Sequence, residues 1–273
     1  MEGKGDKDMA KQPDGMFAQV RKQAITEIVN QKGNVTVGEL CERFRVSPAT
    51  IRNDLRELEE AGAIERTHGG AINCQKAVYE PNTYQKEVQH VLEKEAIAKV
   101  AAEFIKPGDA IALDTGTTTF QLAKHLVGIE RLTVVTNDLQ IAAWLERNTD
   151  VSILMAGGAV RRHFHCTVGL TAMNTISKLR VDKVFAAANG VSVDYGLSTP
   201  SIDMANIKTG LVEAAEEVFL LCDSSKINRN SLVVFAPLSQ VDVMITDNKA
   251  NQDFVSAVTE AGIRIICANT ENK

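Results

Sequence analysis

The sequence predicts an α/β protein in two parts: an N-terminal winged helix-turn-helix, then a larger C-terminal domain on an open, mainly parallel sheet. Three observations predict it. Two helices with capped starts, at Thr36 and Ser47, are separated by a short turn. Seven short apolar runs alternate with mostly helical stretches further along. Polar clusters rich in glycine, threonine, asparagine and aspartate follow five of those runs directly. The expected boundaries are a disordered tail over 1–20, the helix-turn-helix over 21–73, a linker over 74–93 and the second domain over 94–273.

In the first part, Thr36 and Glu39 form a T-x-x-E capping box that starts one short helix. Ser47 followed by Pro48 is an N-cap with proline at the first helical position, and it starts the next. Ile51, Leu55 and Leu58 recur at i, i+4 and i+7 and face inward, and Gly62 ends the helix. The opposite stripe is Ala49, Arg52, Asn53 and Arg56. Arginine pairs bidentately with guanine and asparagine with adenine, so this stripe suits base reading in double-stranded DNA. Ser47 and Thr50 stand at the helix start. Residues 64–72 read as a tight hairpin wing carrying Arg66 and His68. A single such unit reads few base pairs, which implies a homo-oligomer, dimer or tetramer, with the region from Tyr84 onward as its surface.

Bulk charge does not point to DNA. The net charge is −5, and residues 21–66 hold eight basic and eight acidic side chains. Placement does: Arg43, Arg45, Arg52 and Arg56 surround the start of the second helix, whereas Glu57, Glu59, Glu60 and Glu65 come later. Five scattered cysteines without a CxxC exclude a disulfide framework and fit a reducing cytoplasm. No apolar run reaches membrane-spanning length, and the first residues lack a signal-peptide core, so no membrane association is expected. No cofactor is expected either.

In the second part, residues 94–104 read as a helix, and the apolar runs are 110–114, 132–135, 151–155, 183–187, 218–222, 241–245 and 263–267. Strands apolar on both faces that alternate with helices imply a parallel sheet, which binds ligands beyond its carboxyl edge. At that edge the expected ligand residues are Asp114, Gly116, Thr117, Thr118, Thr119, Asn137, Gly157, Gly158 and Arg161, then Asn189, Gly190, Asp223 and Lys226. Thr117 to Thr119, Asn137 and the Gly157-Gly158-Arg161 turn would hold a phosphate. Asp114, Asp223 and Lys226 would face sugar hydroxyls. His163, His165 and Cys166 form an H-x-H-C stretch of ligand type, but with no matching second half they read as loop residues, and no metal is expected.

The chain resembles the DeoR-type bacterial transcriptional regulators. The resemblance runs from Arg21 to about Cys267. It rests on the helix from Val46 to Glu59, Arg66-Thr67-His68-Gly69-Gly70-Ala71, Asp114-Thr115-Gly116-Thr117-Thr118 and Val135-Thr136-Asn137. Gly157-Gly158 with Arg161, Val168-Gly169, Asn189-Gly190-Val191, Gly196-Leu197-Ser198-Thr199 and Asp223-Ser224-Ser225-Lys226 complete it. It implies a sensor domain like the ribose-5-phosphate isomerase and coenzyme A transferase fold. It also implies a repressor of a sugar-catabolic operon, released by a small sugar phosphate. Many relatives carry consecutive arginines where this chain has Arg52-Asn53, which implies a different base preference at that step. Two alternatives remain: an isomerase-like enzyme using Asp114, Asp223 and Lys226 as acid/base groups, and an activator of the same fold.

Overall fold

The computed structural model describes residues 14–61, 63–73 and 80–270, in two compact units that divide between Tyr79 and Glu80. Gly62 and residues 1–13 of the expected tail lie outside the described residues.

The first unit comprises α1 (Asp14–Lys32), β1 (Asn34–Thr36), α2 (Val37–Phe44), α3 (Pro48–Glu60), β2 (Ile64–Thr67) and β3 (Gly70–Asn73). Residues 14–20, expected as disordered tail, are helical here, because no proline or glycine after Gly15 interrupts α1. Both helix starts form as the sequence dictates. Glu39 N donates to Thr36 Oγ1 at 3.2 Å and Thr36 N to Glu39 Oε2 at 2.8 Å, closing the capping box. Thr50 N donates to Ser47 Oγ at 3.1 Å. Between them Arg45 takes a left-handed conformation (φ 53°), which ends α2 and turns the chain into α3. Ile51, Leu55 and Leu58 share one core with Ile25, Ile28 and Val29 of α1. The Arg21 guanidinium fixes α1 to α3 by gripping Asp54 at 2.6 and 3.1 Å.

The wing is the expected hairpin β2–β3 with a third strand added. β1 pairs antiparallel with β3, giving the order β1-β3-β2. With one buried residue, Val35, β1 is too short for periodicity to mark it. Any side chain at Gly70 would collide with the Val35 carbonyl, so the close approach of β3 to β1 requires glycine there.

The second unit begins with two helices, α4 (Thr83–Glu87) and α5 (Val91–Ala102). Both start inside the stretch expected as linker. Asn82 and Gln85 form a capping box that sets α4, so the linker reading of 80–93 is corrected. There follow β4 (Ala110–Leu113), α6 (Thr117–Ala123), β5 (Thr133–Thr136), α7 (Leu139–Asn148), β6 (Ser152–Met155), β7 (Ala159–Arg161) and β8 (Cys166–Val168). Next come α8 (Leu170–Ile176), β9 (Val181–Ala187), β10 (Gly190–Ser192), β11 (Gly196–Thr199), α9 (Ile202–Glu213) and β12 (Ala215–Leu221). β13 (Val233–Ala236), β14 (Val243–Asp247), α10 (Gln252–Glu260) and β15 (Arg264–Ala268) complete it.

The seven apolar runs form one wholly parallel sheet, in the order β15-β14-β12-β9-β4-β5-β6. From β4 the chain winds outward to β6, then returns to β9 and winds the other way. The direction therefore reverses between β4 and β9, which opens a crevice beyond their carboxyl ends. Side chains alternate between two cores: Ala112, Val184, Ala186 and Leu220 lie on one face with α8 to α10, while Ile111, Leu113, Phe185 and Phe219 lie on the other with α5 to α7. The hairpin β7–β8 and the antiparallel sheet β10-β11-β13 are additions the apolar runs do not reveal.

Phe185 and Phe219 stand side by side in register on β9 and β12, with rings stacked 4.8 Å apart and fully buried. Phe219→Ala should lower stability by about 3–5 kcal/mol in urea denaturation. A loss below about 1 kcal/mol would show that this pair does not hold the sheet centre.

Candidate functional site

On α3, Ala49, Arg52, Asn53 and Arg56 are exposed together, Thr50 is half-buried, and Ser47 caps the start. The stripe is not uniformly free. Asn53 Nδ2 donates to Glu57 Oε1 at 2.8 Å, and Asn53 Oδ1 accepts from Arg56 Nη2 at 2.6 Å. Arg56 also faces Glu60 at 3.8 Å, and Arg66 of the wing lies 3.4 Å from Glu59. The side chains of Arg52 and His68 carry no hydrogen bond or ion pair among the described residues. Arg52 is thus presented outright, whereas Asn53, Arg56 and Arg66 are held by intramolecular partners. Their spacing along the helix displays the stripe, but it does not show the acids that hold it.

In the second unit a cleft, partly open to solvent, lies beyond the ends of β4, β9 and β12. Such sheets bind ligands at that position. Five cations line it (Lys86, Lys94, Arg161, Lys208 and Lys226) against two carboxylates, Glu80 and Asp223. Of the residues expected from sequence, Gly116, Thr117, Thr118, Arg161, Asn189, Asp223 and Lys226 line this cleft.

The others are placed differently, and all but Gly157 have a structural task. Asp114 is fully buried: Oδ1 accepts from Thr115 N at 2.8 Å, and Oδ2 accepts from Ala187 N at 3.0 Å and from Lys208 Nζ. Thr119 Oγ1 donates to the Gly116 carbonyl at 2.9 Å, inside α6. Asn137 is buried and donates to the Thr167 carbonyl at 3.0 Å. Gly157 stands outside the cleft, and a side chain at Gly158 would strike the Val168 carbonyl. Gly190 similarly lets the Arg229 carbonyl approach. His163 and His165 sit in left-handed conformations at the β7–β8 turn. Their carbonyls accept from Thr83 N and Leu139 N, while Cys166 packs against Met204. Among the described residues no three ligand-type side chains gather as a metal site.

Four groups were not anticipated: Glu80, Lys86, Lys94 and Lys208. Lys208 Nζ donates to Asp114 and, at 2.9 Å, to the Ala187 carbonyl, joining α9 to the ends of β4 and β9. A lone lysine among Met204, Ala205, Ile207, Leu211 and Val212 is the signal that could have found it. Glu80 bridges Lys86 and Arg161, each at 2.8 Å. Burial works to raise the Glu80 pKa, but these two cations outweigh it and hold the carboxyl below its ordinary value. Arg161 also stacks 3.7 Å above the Phe164 ring. Asp223 is held below the ordinary range: burial opposes ionisation, and Lys226 and Ser225 overcome it. Lys94 Nζ donates to the Lys86 and Gln89 carbonyls, and burial pulls its pKa down to about 8.

A winged helix-turn-helix followed by a doubly wound α/β unit with a cationic cleft defines a DNA-binding regulator with a sensor module. The model of the DeoR-like helix-turn-helix domain matches residues 21–77, and that of the DeoR C terminal sensor domain matches residues 89–248. The chain belongs to the DeoR family of transcriptional regulators. It is 37% identical to the Escherichia coli (strain K12) protein named uncharacterized HTH-type transcriptional regulator YgbI, over 92% of this chain and 98% of that one. It is 34% identical to the glycerol-3-phosphate regulon repressor of the same organism, over 90% and 97%. Ribose 5-phosphate isomerase A from Methanocaldococcus jannaschii aligns with 49% of this chain and 53% of that one, at 17% identity and a TM-score of 0.37.

Lys94 gives a pH test. Its folded pKa of about 8 lies below the ordinary 10.5, so between them the unfolded chain binds more protons. Lys94 therefore makes stability rise with pH across that window. Urea denaturation at about pH 7.5 and about pH 9.5 should show a steeper rise for the parent protein than for Lys94→Met. Equal slopes would mean that Lys94 is not desolvated.

Proposed function

We propose that this DeoR-family regulator is a repressor of a carbohydrate-catabolic operon that leaves its operator when a small sugar phosphate fills the cleft. The observation that carries the reading is the excess of cations over carboxylates at the sheet's switch point, beside the hydroxyls of Thr117 and Thr118. Such a set suits a dianion attached to a polar body, with Asp223 and Asn189 beside it for hydroxyl groups and Thr199 holding Asn189 at 3.1 Å. The relative named as the glycerol-3-phosphate regulon repressor supports both a repressing role and a phosphorylated small molecule. An isomerase would need a free acid/base pair, and both Asp114 oxygens are already engaged.

On the DNA side, Arg52 leads, with Asn53, Arg56 and the wing residues Arg66 and His68 beside it, and Ser47, Ala49 and Thr50 near the helix start. We take the active species to be a homo-oligomer, since one such unit reads too few base pairs for specificity. The exposed apolar side chains of Tyr84, Val88 and Leu92 support a surface for it.

Two substitutions separate the functions. Arg52→Ala should weaken operator binding by about 1–3 kcal/mol while ligand-induced thermal stabilisation persists. Arg161→Ala should bind operator normally yet fail to release it when sugar phosphates are added. A screen by fluorescence anisotropy should find release by a phosphorylated sugar and none by the free sugar. Release by free sugars alone, or normal release from Arg161→Ala, would refute the phosphate reading.

A further inference from the structure

Glu80 is an acid placed where an anionic ligand would bind. Its Oε1 lies 2.8 Å from Lys86 Nζ and its Oε2 lies 2.8 Å from Arg161 Nη2, and all three residues line the cleft. The second contact is an ion pair out of line for a hydrogen bond, so the buried Oε2 has no hydrogen-bond donor. Arg161 stacks on Phe164 and offers a planar fork, of which the carboxylate uses a single nitrogen. A guanidinium normally engages two oxygens of its partner, so this pairing is incomplete. One carboxylate charge also faces two cations, in a cleft that holds three more.

We infer that Glu80 is a resident occupant of the cleft's anion subsite, and that a phosphate-bearing ligand binds by displacing it from Arg161 and Lys86. This rests on the sugar-phosphate reading above and adds how the site selects and responds. A phosphate monoester brings up to two charges and three terminal oxygens, enough to complete both the fork and the lysine. A carboxylate offers no more than Glu80 does, and Glu80 competes at the effective concentration of a tethered group, on the order of millimolar. The site therefore discriminates by charge as well as by shape. Thr83 anchors the segment by donating its N–H to the His163 carbonyl at 3.0 Å. Asn82 is held as well, by its capping box with Gln85, so displacing Glu80 moves that residue and Pro81 without unseating α4.

The test is isothermal titration of the full-length protein with inorganic phosphate, for the parent, Glu80→Gln and Glu80→Asp. Glu80→Gln removes the competing charge and should bind phosphate about tenfold more tightly, a difference of ~1.4 kcal/mol. Glu80→Asp keeps the charge but withdraws it by one methylene, so it should gain less in the same direction. It also carries the test if Glu80→Gln does not fold. Phosphate binding that is unchanged or weaker in both variants would overturn the inference, as would the absence of phosphate binding to any of the three. Operator release measured on the parent protein separates the two proposals. If sugar phosphates release operator but neither variant gains phosphate affinity, displacement alone is wrong. If the variants gain affinity but no sugar phosphate releases operator, the anion subsite stands and the sugar-phosphate reading fails.

Discussion

The sensor unit is organised around one buried ion pair. Asp114 ends β4 and Lys208 lies in the middle of α9, and their contact closes the point where the sheet's winding reverses. Two charges so buried are tolerated because nearly every polar position is satisfied: two backbone N–H groups and the lysine serve the carboxylate, and the Ala187 carbonyl takes a second lysine proton. Removing one partner would leave a buried charge alone, which costs more than the pair contributes. The pair also gives the cleft a floor, because it ties the ends of β4 and β9 to α9 while the turns after those strands remain open to a ligand.

Above that floor the cleft keeps more positive charge than its own acids neutralise. Unpaired buried cations are costly, and the chain reduces the cost with backbone carbonyls for Lys94 and with Glu80 for Lys86 and Arg161. The burial that lowers the Lys86 and Lys94 pKa values is the same desolvation that a bound anion would relieve. The DNA-binding unit follows a similar logic in milder form at its surface, where Glu57, Glu59 and Glu60 hold Asn53, Arg66 and Arg56.

How far the sequence reveals all this depends on the range of the interaction. The seven parallel strands were legible because each is apolar on both faces, and the helix starts because their caps act within four residues. β1, the β7–β8 hairpin and the sheet β10-β11-β13 were not, since strands of three or four residues that mix polar with apolar side chains leave no local pattern. In the cleft, polarity at a strand end indicated the right edge but not depth. Thr118, Arg161 and Asn189 reach the opening, whereas Asp114, Thr119, Asn137 and Gly158 serve the framework just below it. Lys86 and Lys94 escaped notice because they lie before the sheet begins in sequence, and only folding brings α4 and α5 over its edge.

In the proposed function the cleft and the DNA-binding face belong to one linked equilibrium. A ligand that loosens operator must, by thermodynamic reciprocity, itself bind less tightly when operator is present, and by the same factor. The most direct measurement is the dissociation constant of a releasing sugar phosphate, determined by calorimetry for the free protein and for the protein saturated with operator. Ligand binding should be weaker in the complex, by a factor equal to the loss of operator affinity that the ligand causes. Equal affinities in the two states would contradict it.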